Sequence, residues 1–182
     1  MFGDGALTFQ EFVLREKVPL SAIHREVLEF LQDRDDTVVF GAQAVNAYED
    51  ESRMTQDIDL LSVHAKALAQ DLRKHLRQIF HIAIRRWELI HGQAYRLYQA
   101  RKTGRRHLIN IRTVDTLPES QRIGRVLVIS PVELIAGKVI AYHQLKRATE
   151  IRHRLARSGD AATGISGVKT HSRGKLEKNC SK

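Results

Sequence analysis

The chain has 182 residues, 42% of them hydrophobic, and a formal net charge of +9. This length and composition suit one globular domain with a real core, and no run of about 18 apolar residues predicts a membrane-spanning helix. The single cysteine, Cys180, excludes an intramolecular disulfide and a cysteine-based zinc site. The first residues lack the basic flank and apolar segment of a signal peptide, so we expect a cytoplasmic protein without a membrane partner.

Hydrophobic periodicity and turn residues predict helices and strands in mixed order, an α+β pattern. The first half of the chain should form a helix from an N-cap at Ser21 to about Gln32, a strand over 37–40, a helix over 42–48, a strand over 55–61 and a helix over 65–79. The second half should form a meander of strands over 82–87, 95–99 and 108–114, followed by a strand over 126–129. The last predicted element is a helix from 131 to about 148, with Ser130 as its cap.

The positive charge is concentrated after that last helix. Residues 146–182 hold ten Lys and Arg side chains against three acids, a net of +7, and residues 1–145 have a net charge of +2. Residues 158–182 are small, polar and then basic, without periodicity. Such a segment cannot bury enough apolar surface to offset its ordering entropy, so we expect a disordered tail. The abrupt change also suggests a truncated or frameshifted C-terminus, which the sequence leaves open.

Two aspartates on one predicted strand give the strongest chemical signal. Asp57 and Asp59 flank Ile58, and because side chains alternate along a strand, both carboxylates project to the same side. Like charges repel, whereas a hard cation such as Mg²⁺ makes the pair favourable, together with waters and substrate phosphates. The pair is therefore a candidate metal clamp for phosphoryl or nucleotidyl transfer. The alternative is a solvated loop that binds nothing, since chance Asp-x-Asp pairs are common.

A glycine precedes this pair in a complementary position. Gly41 lies between the strand over 37–40 and the following helix, where it lets backbone amides approach a phosphate at the helix N-terminus. A carboxylate pair on the next strand can hold a metal that bridges such phosphates. Taken alone, a plain turn glycine explains Gly41 equally well.

The order strand, Gly41-Ala42, helix, Asp57-x-Asp59 resembles the nucleotidyltransferase superfamily related to DNA polymerase β. The nearer resemblance is to the AbiEii-type branch, which includes toxins of toxin–antitoxin pairs. It is carried by Arg53-x-Thr55 before the aspartates and by the later segment from Ser130 to Ala141. The resemblance covers about residues 37–147.

This resemblance implies a nucleotidyltransferase-like mixed β-sheet flanked by helices over residues 37–157, after an N-terminal helical segment over 1–36 and before the tail over 158–182. It implies that Asp57 and Asp59 ligate Mg²⁺ or Mn²⁺. The implied nucleotide-binding residues are Gly41, Ala42, Arg53, Thr55 and Lys138. Solvated or purely structural roles remain the alternatives for Arg53, Thr55 and Lys138. The implied partners are an NTP, an acceptor hydroxyl on tRNA or protein, and a cognate antitoxin.

Three departures from the family pattern limit these expectations. Ala42 stands where Gly or Ser is usual, and the helical segment that normally follows the Lys138 helix is replaced by the basic tail. The third departure affects catalysis, because Asn110 occupies the position of the superfamily's third catalytic carboxylate. An amide carries no charge and is a poor base, so deprotonation of an attacking hydroxyl should be weakened. Asp115 could substitute only if the chain bends after the strand.

Three functions therefore remain open: an active nucleotidyltransferase, a catalytically impaired nucleotide-binding or regulatory module of the same fold, and a nucleic-acid-binding protein that acts through its tail.

The segments Arg85-Arg86-Trp87 and Arg105-Arg106-His107 are basic strand ends with an aromatic residue. They could contact a polynucleotide backbone, but the sequence favours solvated strand ends.

Overall fold

A computed structural model of the chain describes residues 18–161 except 52 and 103, with side chains described up to residue 149 except 145 and 148. Its elements are α1 (Leu20–Phe30), β1 (Thr37–Phe40), α2 (Gly41–Tyr48), β2 (Ile58–Ser62), α3 (Ala65–Phe80), β3 (Ile84–Leu89), β4 (Ala94–Arg101), β5 (Gly104–Thr113), β6 (Ser120–Ile123), β7 (Val126–Ile129) and α4 (Pro131–Ala161). The predicted α+β class is confirmed.

All seven strands form one mixed sheet in the order β3-β4-β5-β2-β1-β7-β6. The pair β2–β5 and the pair β1–β7 are parallel, and the other neighbours are antiparallel. The parallel β2–β5 pair joins the meander of β3, β4 and β5 to the remaining four strands. It also brings the Asp59 strand beside the Asn110 strand, which sets the position of the candidate site.

The core lies between the first three helices and one face of the sheet. Along β2, Ile58, Leu60 and Ser62 are buried while Asp59 and Leu61 are half-buried, so the strand alternates as its sequence predicts. On α3, the leucines four residues apart, Leu68, Leu72 and Leu76, are fully buried against this face. The opposite face of β3, β4 and β5 is mixed: its arginines on β3 and β5, Trp87 and His107 are exposed, whereas Tyr98 is buried and most of the other side chains are half-buried.

Several predicted boundaries were wrong. Ser21 does not cap the first helix, because α1 begins at Leu20 after Pro19, which takes the extended N-cap position without a side-chain hydrogen bond. The second strand begins at Ile58 rather than at residue 55. The prediction missed β6, whose polar sequence Ser-Gln-Arg-Ile carries little strand signal. Ser130 does accept a hydrogen bond from the backbone N–H of Glu133 (3.4 Å), as predicted for a cap.

Packing divides the chain into residues 1–138 and 139–182. The first unit contains the sheet and the first three helices, and the described part of the second is the helical stretch 139–161. The last helix thus continues well past its predicted end near Ala148. Residues 162–182 of the predicted tail lie outside the described residues, and the predicted domain boundaries stay a prediction. In the part of the chain described, no helix is long and apolar enough to cross a membrane.

Candidate functional site

An amide links the two aspartates at the start of β2. Asp59 lies directly opposite Asn110 in the parallel β2–β5 register. The Asn110 Nδ2 donates one hydrogen bond to Asp57 Oδ2 (2.6 Å) and another to Asp59 Oδ1 (3.1 Å). Both carboxylates therefore face the same point, as predicted, although Asp57 precedes the first residue of β2, and a neutral donor lies between them.

Arg96 fixes the orientation of that amide. It lies on β4 opposite Asn110, and its Nε donates to Asn110 Oδ1 at 2.6 Å. A guanidinium can only donate and a carboxylate can only accept, so the carbonyl of Asn110 must point to Arg96 and its NH₂ group to the aspartates. The side-chain oxygen of Asn110 is consequently turned away from Asp57 and Asp59.

The surroundings of Asp59 raise the pKa of its carboxyl group. Burial raises the pKa of Asp59 above its usual 3.8, the hydrogen bond from Asn110 opposes this rise, and the neighbouring charge of Asp57 adds to it. The positive charges of Arg112 and Lys138 also act to lower this pKa. Lys138, predicted to face nucleotide phosphates from the last helix, is thus close enough to influence the aspartate while its own side chain stays exposed.

Gly41 packs so closely against Asp59 that any side chain here would displace the Asp59 carboxylate. Phe40 pairs with Asp59 across β1 and β2, and Gly41 follows as the first residue of α2 with φ of +73°. A Cβ at this position would collide with Asp59 Oδ2 and lie 3.1 Å from Asp59 Cβ and Cγ. The glycine therefore serves close approach to the aspartate as well as a turn. Ala42 is exposed in the first turn of α2.

The loop before the aspartates is anchored to α2 by two buried amides. Asn46 Nδ2 donates to the carbonyl of Arg53 (2.6 Å), and the Arg53 N–H donates to Asn46 Oδ1 (3.1 Å). Thr55 Oγ1 donates to Gln43 Oε1 at 3.0 Å. The side chain of Arg53 itself is exposed and lies 3.8 Å from the Glu49 carboxylate. Arg53 and Thr55 thus hold the loop that carries Asp57.

Sequence reasoning missed Gln43 and Asn46, as well as Arg96. The first two are 4% and 8% exposed, and a signal existed, since two amides three residues apart on a short apolar helix predict a polar contact. Arg96 gave no signal, because its relation to Asn110 depends on the register of two strands.

Asp115 does not join the site. The backbone N–H of Val114 donates to the carbonyl of Ser62, so the chain after β5 continues past the far end of β2. At roughly 3.3 Å per residue, Asp115 lies about 16 Å along the strand from Asn110. It therefore cannot supply a third carboxylate beside Asp57 and Asp59.

The carboxylate oxygens of Asp57 and Asp59 provide some, but not all, of the ligands that one hard cation needs. Asp57 and Asp59 offer two anionic oxygens on one side of the sheet, the ligand type that Mg²⁺ and Mn²⁺ prefer. Among the described residues, no cluster of three His, Cys, Asp or Glu side chains could hold a metal. A cation bound here would have to displace the Asn110 NH₂ group and complete its coordination with water or substrate.

Three solved structures share the fold. JHP933 from Helicobacter pylori matches with a TM-score of 0.50 and 16% identity over 73% of this chain and 57% of its own. A second H. pylori protein, provisionally assigned as a nucleotidyltransferase, gives 0.51 and 17% over 72% and 59%. TM1012 from Thermotoga maritima, assigned in the same way, gives 0.50 and 11% over 83% and 97%. The chain spans less than two thirds of either H. pylori protein.

The comparison with curated proteins gives no significant match. The sequence profile of one family, described as nucleotidyl transferase AbiEii toxin of type IV toxin–antitoxin systems, matches residues 25–155. This match covers most of the chain, including the glycine turn, the aspartate strand and the start of the last helix. The chain therefore belongs to the AbiEii nucleotidyltransferase toxin family.

Proposed function

We propose that this chain is a Mg²⁺- or Mn²⁺-dependent nucleotidyltransferase that moves NMP from an NTP to an acceptor hydroxyl on tRNA or protein, and that it is the toxin of a toxin–antitoxin pair. The observation that carries the proposal is the convergence of Gly41, Asp57 and Asp59 at one point of the sheet, where Gly41 packs directly on the Asp59 carboxylate. Family membership supports the reaction class.

In this reaction the acceptor oxygen bonds to the α-phosphorus, the bond from that phosphorus to the bridging oxygen breaks, and pyrophosphate leaves. A divalent cation would neutralise phosphate charge and orient the triphosphate. Asp57 and Asp59 would hold it, while the backbone at Gly41 and the ammonium of Lys138 bind phosphate oxygens. Because the Asn110 amide cannot take a proton, the proton of the acceptor hydroxyl passes to water, and turnover should be slow.

A second candidate has a specific observation in its favour. Arg96 holds the Asn110 oxygen, so the amide cannot act as a ligand in this arrangement. A module that binds nucleotide without transferring it, in a regulatory role, would suit such a site. The two candidates differ in whether wild-type protein forms labelled product.

One experiment separates them. Wild-type protein is incubated with each NTP labelled at the α-phosphate, with Mg²⁺ or Mn²⁺, and with total RNA and total protein as possible acceptors. The variants Asp57→Asn and Asp59→Asn are assayed in the same way, with the exposed Asp71→Asn as the control. Transfer by wild type and Asp71→Asn, with loss of about 100-fold or more in the two site variants, supports the enzyme. Metal-dependent NTP binding without product supports the second candidate. Transfer that survives in both site variants would refute both.

A further inference from the structure

The face of the sheet that carries the aspartates continues into an aromatic and basic surface. Trp87 pairs with Arg96, Arg96 pairs with Asn110, and Asn110 pairs with Asp59, so these side chains lie in one row across four strands. Residues directly opposite each other project to the same face. At about 4.8 Å per strand, the Cα of Trp87 lies roughly 14 Å from that of Asp59.

Two aromatic rings and an arginine form the centre of this surface. Trp87 is 50% exposed, whereas Tyr98 is only 9% exposed, and their ring centroids lie 6.3 Å apart, so Tyr98 supports the exposed indole from beneath the surface. The guanidinium carbon of Arg105 lies 4.9 Å from the Trp87 centroid and 5.2 Å from the Tyr98 centroid. Arg105 is exposed and lies within cation–π distance of both rings, so its guanidinium is available to donate to a phosphate.

The charge around these rings has one sign. By strand alternation, the positions of β3, β4 and β5 on this face carry arginines and a histidine and, among the described residues, no carboxylate. Neither Arg85 nor Arg105 has a carboxylate partner in the described part of the chain. His107 lies opposite Tyr98 and is exposed as well. An exposed indole ring that is surrounded by arginines without carboxylate partners is suited to bind an anionic ligand that contains flat rings.

We propose that Trp87 and Arg105, flanked by Arg85 and His107 and supported by the buried ring of Tyr98, form a binding site for single-stranded nucleic acid. Unpaired bases stack on the exposed face of Trp87, and the arginines bind the phosphates on either side. The row of paired residues from Trp87 to Asp59 then directs the end of the strand toward the aspartates. The binding site stands on these contacts alone, and only its use as the acceptor site rests on the proposed function.

The single tryptophan of the chain makes the test direct. The full-length protein is titrated with labelled 12-nucleotide oligo-U and oligo-dT, and binding is followed by anisotropy and by quenching of Trp87 fluorescence. We expect both signals to saturate together, with weaker binding of a duplex of equal length. Trp87→Ala should lower the anisotropy-derived affinity about 5- to 150-fold, the loss expected for one stacked base.

Arg105→Ala is the second variant, and Arg77→Ala, an exposed arginine on α3 and outside this face, is the matched control. Arg105→Ala should weaken binding and reduce the slope of log affinity against log salt by about 0.7, while Arg77→Ala binds as wild type. The basic C-terminal residues are present in every variant, so their contribution cancels. Circular dichroism melts of each variant confirm that the fold is kept.

Three results would overturn the inference: oligonucleotide binding without quenching, wild-type affinity in both Trp87→Ala and Arg105→Ala, or an equal loss in Arg77→Ala. Tighter binding of a poly-glutamate peptide with the same dependence on Trp87 would assign the surface to an acidic protein instead. NTP binding is measured in parallel. If NTP binding is absent and oligonucleotide binding follows Trp87, the proposed function fails while this binding site stands.

Discussion

Changing Asn110 to aspartate places a third negative charge between Asp57 and Asp59. The two hydrogen bonds that Asn110 now donates, at 2.6 and 3.1 Å, are lost. Hydrogen bonds to charged groups contribute about 1.5–3 kcal/mol each, and like charges about 4 Å apart repel by about 4 kcal/mol near a protein surface. Arg96, at 2.6 Å from the side chain that is replaced, offsets part of this repulsion.

Because the site is half-exposed and solvent screens these charges, we expect a net loss of about 2–3 kcal/mol in the free energy of unfolding without metal. For a chain of this size that corresponds to a melting temperature lower by about 4–12 °C. Divalent metal should reverse the loss, since a ligand at 100 times its Kd stabilises the folded state by about 2.7 kcal/mol. The variant should therefore depend on Mn²⁺ more strongly than wild type does.

The assay is thermal melting in EDTA and in a Mn²⁺ series, with the wild type and Asn110→Ala as references. Asn110→Ala removes the donor without adding charge, so it separates loss of the hydrogen bonds from repulsion. The reasoning is refuted if Asn110→Asp melts like the wild type in EDTA, or if Mn²⁺ raises its melting temperature no more than it raises that of Asn110→Ala.

Three further changes test other contacts of the site and its supports. Gly41→Ala should destabilise the fold by about 1–3 kcal/mol and abolish NTP binding, because its Cβ meets the neighbouring aspartate and its φ is positive; both are measured by melting and by NTP titration. Thr55→Val should cost about 1–2 kcal/mol in urea unfolding by leaving the buried Gln43 amide unpaired. Asp36→Asn should lose about 0.5–1 kcal/mol at pH 7, with the deficit shrinking as the pH falls below 3.8 and through the lower folded pKa. Gly124→Ala is the control for the first change, because its φ is also positive but no atom lies within 4 Å of the added Cβ.

The sign for Asp36 follows from its partners. Burial acts to raise its pKa, but the hydrogen bond and charge of Arg34, together with the hydroxyl of Thr37, outweigh burial and lower the pKa. A lowered carboxyl pKa stabilises the folded state above the unfolded value, and this contribution is lost as the pH falls through the folded pKa. A deficit in Asp36→Asn that is equal at pH 7 and pH 3 would contradict this account.

For Thr55→Val, adding Gln43→Leu should recover stability, since no buried amide then lacks a partner.

The sequence predicted the elements of the site well where the signal was local. Strand alternation predicted that Asp57 and Asp59 share a side, and the strand-to-helix glycine was recognised from its neighbours. Leu68, Leu72 and Leu76 predicted the buried face of α3 through their helical spacing. These features depend on a few adjacent residues, so one sequence suffices.

The parts that could not be predicted depend on register between distant strands. Asn110 was expected at the third carboxylate position, but its contact with Arg96 follows from the β4–β5 pairing, which includes an irregularity between Leu97 and Tyr98. The same pairing brings Arg105 over Trp87, two positions that the sequence indicated only as separate basic strand ends. These contacts follow from the order and register of the seven strands in the sheet, and no local sequence pattern predicts that order.

The parallel β2–β5 pair also has a consequence for the order of folding. Asp59 and Asn110 are separated by 51 residues in the chain, and closing a loop of that length costs about 3–4 kcal/mol of entropy by the logarithmic scaling. Local hairpins such as β3–β4 form before such distant pairings. During synthesis, a chain that has released β1 and β2 already carries both aspartates, yet their neutral partner arrives only with β5. We therefore expect the two carboxylates to lack their bridging amide until the two parts of the sheet join.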